Sequence, residues 1–349
     1  MAARPAGRSQ ESGKLRRRKT SKTRRMSVVL DGLGIPESLR WHEGAVWFSD
    51  LARGTVHRWE IAGTLETVAE IPGRAGGLGW LPDGRLLAVS MDERCVYRQE
   101  QDGSLNIHAE LKSLAGGEAN DMIVDRLGRC YVGNYGFDLH QRVREAPSSM
   151  LYAPPGPPAT PLVCFGTDGA VLGTSVPLLF PNGAVIMDDG RTLVVAESLA
   201  LRLSAFEIRP DGTFGERSEW ASFISPGLWS ALNDPGLLGR VVRKVSSMLD
   251  QPSIQKRSSS PIAPDGIALA QDGTIWVADA QHGQCVRVAH GGRIIERVST
   301  SQQTLSCVLG GHDGRSLFAA TTPTGDPTVA RDEGRIECLF LGSAAFDRK

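Results

Sequence analysis

The sequence predicts an all-β protein, a six-bladed β-propeller with a metal site at its centre. Three observations predict it. A hairpin unit recurs six times, no helical periodicity separates the copies, and four copies carry a carboxylate or amide side chain at one shared repeat position.

Each copy is a short β-rich run, a turn ending in glycine, and a second β-rich run. The turn glycines are Gly44, Gly84, Gly128, Gly190, Gly273 and Gly314. The Asp-Gly turns at 83–84, 189–190, 272–273 and 313–314 are strong hairpin cues, because glycine accepts the positive φ that a tight turn requires. The shorter intervals, about 40 residues, match one four-stranded blade. Further alternating runs, such as Thr55–Trp59 and Cys285–Val288, supply the outer strands. A strand at Met26–Leu30 and the last run, Ile336–Leu341, are expected to share a blade and close the ring, which removes free edges.

The longer intervals hold insertions at about 145–161 and 222–262. The first is rich in proline (Pro147, Pro154, Pro155, Pro157, Pro158, Pro161) and predicts a stiff, irregular loop. The second contains the one good helix candidate. It starts near Asp234-Pro235, with Leu237, Leu238, Val241, Val242, Val245, Met248 and Leu249 on one face and Arg240, Arg243 and Lys244 opposite. It reads as a helix packed on a blade edge, with a lid over the channel mouth as the functional alternative.

The chain has 39 Lys+Arg and 39 Asp+Glu, but the balance conceals a split. Residues 1–25 hold ten Arg or Lys and one acid, Glu11, so the body at 26–349 is acidic. That argues against a nucleic-acid-binding face on the folded part. The basic head lacks an apolar segment behind it and reads as a disordered extension rather than a secretory signal. No apolar run is long enough to span a membrane. Six dispersed cysteines, with Cys130, Cys285 and Cys307 among apolar strand residues, fit buried thiols in a reduced, cytoplasmic protein. Trp41, Trp47, Trp80 and Trp276 read as core, and His282 as a solvated loop residue.

The residue that opens the first run of each copy is Glu37, Gly76, Asn120, Asn182, Asp265 and Ser306 in turn. Innermost propeller strands surround the axis, so these positions converge although the chain separates them widely. A Glu, an Asp and two Asn offer only oxygen ligands, the set preferred by hard divalent cations, Ca²⁺ ahead of Mg²⁺ or Mn²⁺; Zn²⁺ is a further candidate ion. Two carboxylates together repel each other without such a charge. The bland alternative for Pro181-Asn182-Gly183 and Pro264-Asp265-Gly266 is an ordinary turn.

The segments Pro36-Glu37-Ser38 to Trp41, Asn120-Asp121-Met122-Ile123-Val124-Asp125, Pro181-Asn182-Gly183-Ala184 and Pro264-Asp265-Gly266-Ile267-Ala268-Leu269 followed by Gly273 to Asp279 carry a family resemblance. Across about residues 33–342 the chain resembles the senescence-marker-protein (regucalcin)/gluconolactonase/luciferin-regenerating-enzyme family. The resemblance implies a six-bladed propeller, one divalent ion held by Glu37, Asn182 and Asp265, Asn120 on the substrate or the metal's water, and lactone hydrolysis. One departure is Glu118, two residues before Asn120, where sugar-lactone members often have Arg. It weakens a sugar-lactone assignment more than a lactonase one.

The expected function is therefore metal-dependent hydrolysis of a cyclic ester, with a small lactone as partner. Asp265 is the candidate base and a metal ligand, and Asn120, Glu118 and Asp121 the substrate-side residues. A non-catalytic Ca²⁺- or ligand-binding propeller, another esterase, and a strictosidine-synthase-like enzyme are the alternatives. The sequence holds no G-x-S-x-G elbow, H-E-x-x-H pair or phosphate loop.

Overall fold

The computed structural model describes residues 24–61, 63–145, 152–249 and 261–342. Six sheets form a ring, each of four antiparallel strands running outward from the axis, and one of them carries a fifth, parallel strand at its outer edge. The innermost strands are Pro36–His42, Ala75–Trp80, Ala119–Val124, Pro181–Ile186, Pro264–Leu269 and Gln303–Gly310, which define blades 1 to 6. The six turn glycines all have positive φ, between 66° and 86°, as the hairpin reading requires. Thr55–Trp59 and Gln284–Val288 are the third strands of blades 1 and 5.

Blade 6 is built from both ends of the chain. Ser27–Leu33 is its outermost strand, antiparallel to Gly334–Phe340, so the ring closes by backbone hydrogen bonds. The paired chain starts slightly earlier than the 1–25 boundary. Arg24–Arg25 lie parallel to Val298–Ser299 on the outer edge of blade 5, and Arg24 Nη1 meets Glu296 Oε1 at 3.2 Å. Residues 1–23 lie outside the described residues.

The apolar core sits between blades rather than on the axis. Leu87 and Val89 of blade 2 pack with Met122 and Val132 of blade 3, and Trp276 and Ala278 of blade 5 with Cys307 and Ala319 of blade 6. Alternation in each strand thus places apolar residues against both neighbouring blades. Cys130, Cys285 and Cys307 are buried free thiols in this core. Trp47 and Trp276 are buried, while Trp41 stacks on Phe318 at 6.1 Å.

Second strands end on buried polar residues that hold the segments feeding the axis. Asp50 accepts from the amides of Gly34 and Ile35 at 2.7 and 3.0 Å. Glu197 accepts from Leu179 N at 2.9 Å, and Asp279 from Ala263 N at 3.3 Å. Those amides lie just upstream of Glu37, Asn182 and Asp265, so the backbone entering each of these positions is tied down. His282 belongs to the same scaffold. Its Nδ1 is 2.7 Å from Asp279 Oδ2 and its side chain is 10% exposed, so it is a packed residue and not the solvated loop histidine expected.

Three helices occur among the described residues: α1, Leu139–Glu145; α2, Pro226–Leu232; and α3, Leu237–Leu249. The sequence signals only α3. α1 and α2 are seven residues each, too short for a periodic pattern to stand out. Ser225 caps α2, its side chain accepting from Leu228 N, and Pro226 suits the first turn. The orientation of α3 differs from expectation. Leu237, Leu238 and Val241 are exposed, while Arg243 is buried, its Nη1 donating to the carbonyls of Leu232 and Asp234 at 2.6 and 2.9 Å. Those carbonyls end α2 and begin the turn, and a guanidinium satisfies both. Residues 146–151 and 250–260 of the two insertions lie outside the described residues. Among those described, no helix is long and apolar enough to cross a membrane.

Candidate active site

Every innermost strand is interrupted at the shared repeat position. The pairing register with the second strand shifts between Glu37 and Arg40, Ala75 and Leu78, Ala119 and Met122, Pro181 and Ala184, Pro264 and Ile267, and Thr304 and Ser306. An irregularity of this kind re-aims side chains that the pleat would otherwise alternate. The Pro-Asn-Gly and Pro-Asp-Gly segments are therefore strand, not turn. Their glycines serve close approach: a Cβ on Gly183 would sit 2.6 Å from Gly266 Cα.

Glu37, Asn120, Asp121, Asn182 and Asp265 are all buried. Burial pushes the Glu37 carboxyl well above its ordinary range, and the charges of Asp265 and Asp121 push it further, against the pull of Arg40. Burial and Asp121 raise Asp265 in the same way, opposed by hydrogen bonds from Asn182 and the Gly266 amide. The structure thus brings together residues from blades 1, 3, 4 and 5. Asn182 Nδ2 donates to Ser198 Oγ at 3.2 Å, and Ser198 Oγ donates to Pro264 O at 2.7 Å, so blade 4 orients the amide against blade 5. Asp265 Oδ1 and Asn120 Nδ2 are buried without a hydrogen-bond partner.

Asp121 and Glu118 are already engaged. Asp121 Oδ1 accepts from Arg40 Nη2 at 2.7 Å, Ser38 Oγ at 3.3 Å and its neighbour's amide, Met122 N, at 2.8 Å. Glu118 pairs with Arg74, whose Nη2 also meets Asp92 Oδ1 at 2.5 Å. Arg74 stands two residues before Gly76 as Glu118 stands two before Asn120, so adjacent blades exchange an ion pair at one tier. Sequence reasoning passed over Arg40, Arg74, Tyr135 and Ser198. The repeat register could have found Arg74, and nothing local marks the others.

A divalent cation fits this donor set. Among the described residues, no group of three or more His, Cys, Asp or Glu is arranged to hold a metal, so the candidate set is two carboxylates completed by amide oxygen. Two buried acids pushed up by burial and by neighbouring carboxylates, and a carboxylate oxygen with no hydrogen-bond partner, are what a hard cation would neutralise and fill.

Solved structures of similar fold include a luciferin-regenerating enzyme (15% identity, TM-score 0.64, covering 90% of this chain and 94% of that one). A gluconolactonase from Xanthomonas campestris has 19% identity and a TM-score of 0.62, covering 93% and 96%. Regucalcin from Agrobacterium tumefaciens strain C58, described as a calcium-binding protein, has 18% identity and a TM-score of 0.64, covering 91% and 93%. At these identities the likeness establishes the fold. No curated protein matches the sequence. The profile of the SMP-30/Gluconolactonase/LRE-like region matches residues 35–323, a span that includes the whole ring of Glu37, Asn120, Asn182 and Asp265, and the chain belongs to that family.

Proposed function

We propose that the chain hydrolyses a lactone, with Glu37, Asn182 and Asp265 as the ligands of one divalent cation, Ca²⁺ before other ions. The observation that carries this is the pair of buried, mutually repelling carboxylates, Glu37 and Asp265, with Asp265 Oδ1 lacking a hydrogen-bond partner. Family membership and a gluconolactonase of the same fold support the reaction class.

When bound there, the cation would polarise the lactone carbonyl and lower the pKa of a bound water. Asp265 accepts the proton of the water that attacks the carbonyl carbon; it would hold the cation through one carboxylate oxygen and take the proton on the other, since a carboxylate bound through both is a poor base. Asn120 Nδ2, a buried donor without a partner, donates to the oxyanion that develops on the carbonyl oxygen. The ring C–O bond then breaks. The departing alkoxide takes the proton back from Asp265, and a hydroxy acid leaves. Asp121, held by Arg40, contributes fixed negative charge that disfavours an ionised Asp265 in the absence of a cation.

The test is a panel of lactones and aryl esters, assayed with chelator-treated protein and after Ca²⁺ is restored. Lactone turnover that requires the cation supports the reading. Cation binding without turnover of any member would make this a binding propeller instead.

A further inference from the structure

Resting on the lactonase reading, we infer that the substrate carries an apolar substituent, an alkyl-substituted lactone rather than a polyhydroxylated sugar lactone. The inference comes from the tier of residues just upstream of the polar ring. Ile35 and Phe180 stand two residues before Glu37 and Asn182, and Leu305 one before Ser306. Together with Leu51, Met91 and Tyr135 they form one contiguous buried apolar cluster contributed by five of the six blades. Met91 reaches the blade 2 seat of the ring: its Cγ lies 3.1 Å from where a Cβ on Gly76 would be.

The cluster bears directly on the acids. Burial pushes the Tyr135 hydroxyl well above its ordinary value, and the charges of Glu37, Glu118 and Asp265 push it further. Its ring stacks on Phe180 with centroids 4.5 Å apart. Phe180 has φ of 60°, an uncommon conformation for a bulky residue, and its amide-bearing neighbour Leu179 is pinned by Glu197.

A sugar lactone presents several hydroxyls, and a buried site must give each one a partner or lose affinity. The charged groups of this tier are committed to one another, Arg74 to Glu118 and Asp92. What this tier offers beside them is apolar side chains, which reward an alkyl chain. The apolar surface also continues outward. Leu199 packs against this cluster and against a second one, in which Tyr152, Ile224 and Leu232 of the insertions meet. Antiparallel strand order places both insertions at the end of the ring where the innermost strands begin. The apolar packing thus runs unbroken from the tier beside the acids toward α2, the direction proposed for the substrate's chain.

The experiment compares γ-lactones bearing methyl, butyl and octyl side chains with glucono-1,5-lactone, using the full chain with Ca²⁺. Binding of the matching alkyl lactams, which resist hydrolysis, is read by calorimetry. We expect kcat/KM to rise by roughly fourfold per added methylene, the equivalent of about 0.8 kcal/mol per buried CH₂. Glucono-lactone turned over as well as the octyl compound would overturn the inference and leave the lactonase reading standing. Length-dependent lactam binding without hydrolysis would support the apolar site and overturn the lactonase reading. Neither binding nor hydrolysis would overturn both. Met91→Gln, nearly equal in volume, should flatten the length dependence; if it fails to fold, the wild-type series alone decides.

Discussion

Arg40 of blade 1 reaches Asp121 of blade 3, with Nη2 2.7 Å from Oδ1, passing the carbonyl of Leu78 in blade 2 at 3.2 Å from its Nε. One side chain therefore laces three innermost strands together beside the buried acids. Its positive charge also holds down the Glu37 carboxyl against burial.

Removing one partner of such a pair strands the other. Arg40→Met should destabilise the protein by about 3 kcal/mol in denaturant unfolding, because Asp121 then lies buried and uncompensated. Adding Asp121→Asn should recover part of that loss, as it deletes the stranded charge. Equal losses in the single and double variants would mean that packing of the Arg40 stem, not charge, is what matters.

Ring closure gives a second expectation. Deleting residues 1–33 removes the outermost strand of blade 6 and exposes the edge of Gly334–Phe340. The truncated chain should lose its cooperative melt and aggregate. A melting temperature within a few degrees of the full chain would show that the closing strand is dispensable.

How much of this was legible depends on whether the signal is local. The six hairpins could be read because Gly44, Gly84, Gly128, Gly190, Gly273 and Gly314 announce their turns within four residues, and spacing did the rest. Convergence of Glu37, Asn182 and Asp265 followed from repeat position alone. The ion pairs did not follow. Arg40 and Asp121 lie 81 residues apart, and they meet only because the ring gathers the innermost strands of blades 1, 2 and 3 at the axis. Asp50, Glu197 and Asp279 resemble ordinary turn residues in sequence, yet they are buried acceptors of backbone amides. The outward turn of Leu237 and Leu238 was hidden because a periodic apolar face does not say which side is covered.

A pH dependence follows from His57. Burial lowers its pKa from the ordinary 6.5, against the opposing charge of Asp50. The folded state then binds the proton less well than the unfolded chain. Stability is fully present above about 6.5 and declines as pH falls from there toward the depressed folded value. His57→Gln should flatten that part of the acid limb in melts followed from neutral pH downward. An unchanged limb would assign the loss to other groups, with His42 and His108, both also lowered by burial, the next to replace.

Glu37→Gln separates charge from ligation. In chelator-treated protein at neutral pH it should raise the melting temperature, since it removes one of two buried acids that repel each other. The same variant should lose the gain that Ca²⁺ gives the wild type, about 2.7 kcal/mol at a hundredfold excess over Kd. A Ca²⁺ response equal to that of the wild type would remove Glu37 from the ligand set.

The most direct measurement is lactone hydrolysis by chelator-stripped protein titrated with Ca²⁺, run side by side for the wild type and Asp265→Asn. The wild type should be inactive when stripped and regain turnover saturably, reaching a plateau at one ion per chain. Asp265→Asn, compared at saturating Ca²⁺ so that lost occupancy does not imitate lost chemistry, should show kcat lower by roughly 10²–10⁴. Turnover that persists in the stripped protein, or near-full kcat in Asp265→Asn once the site is filled, would contradict a cation-dependent hydrolase with Asp265 as its base.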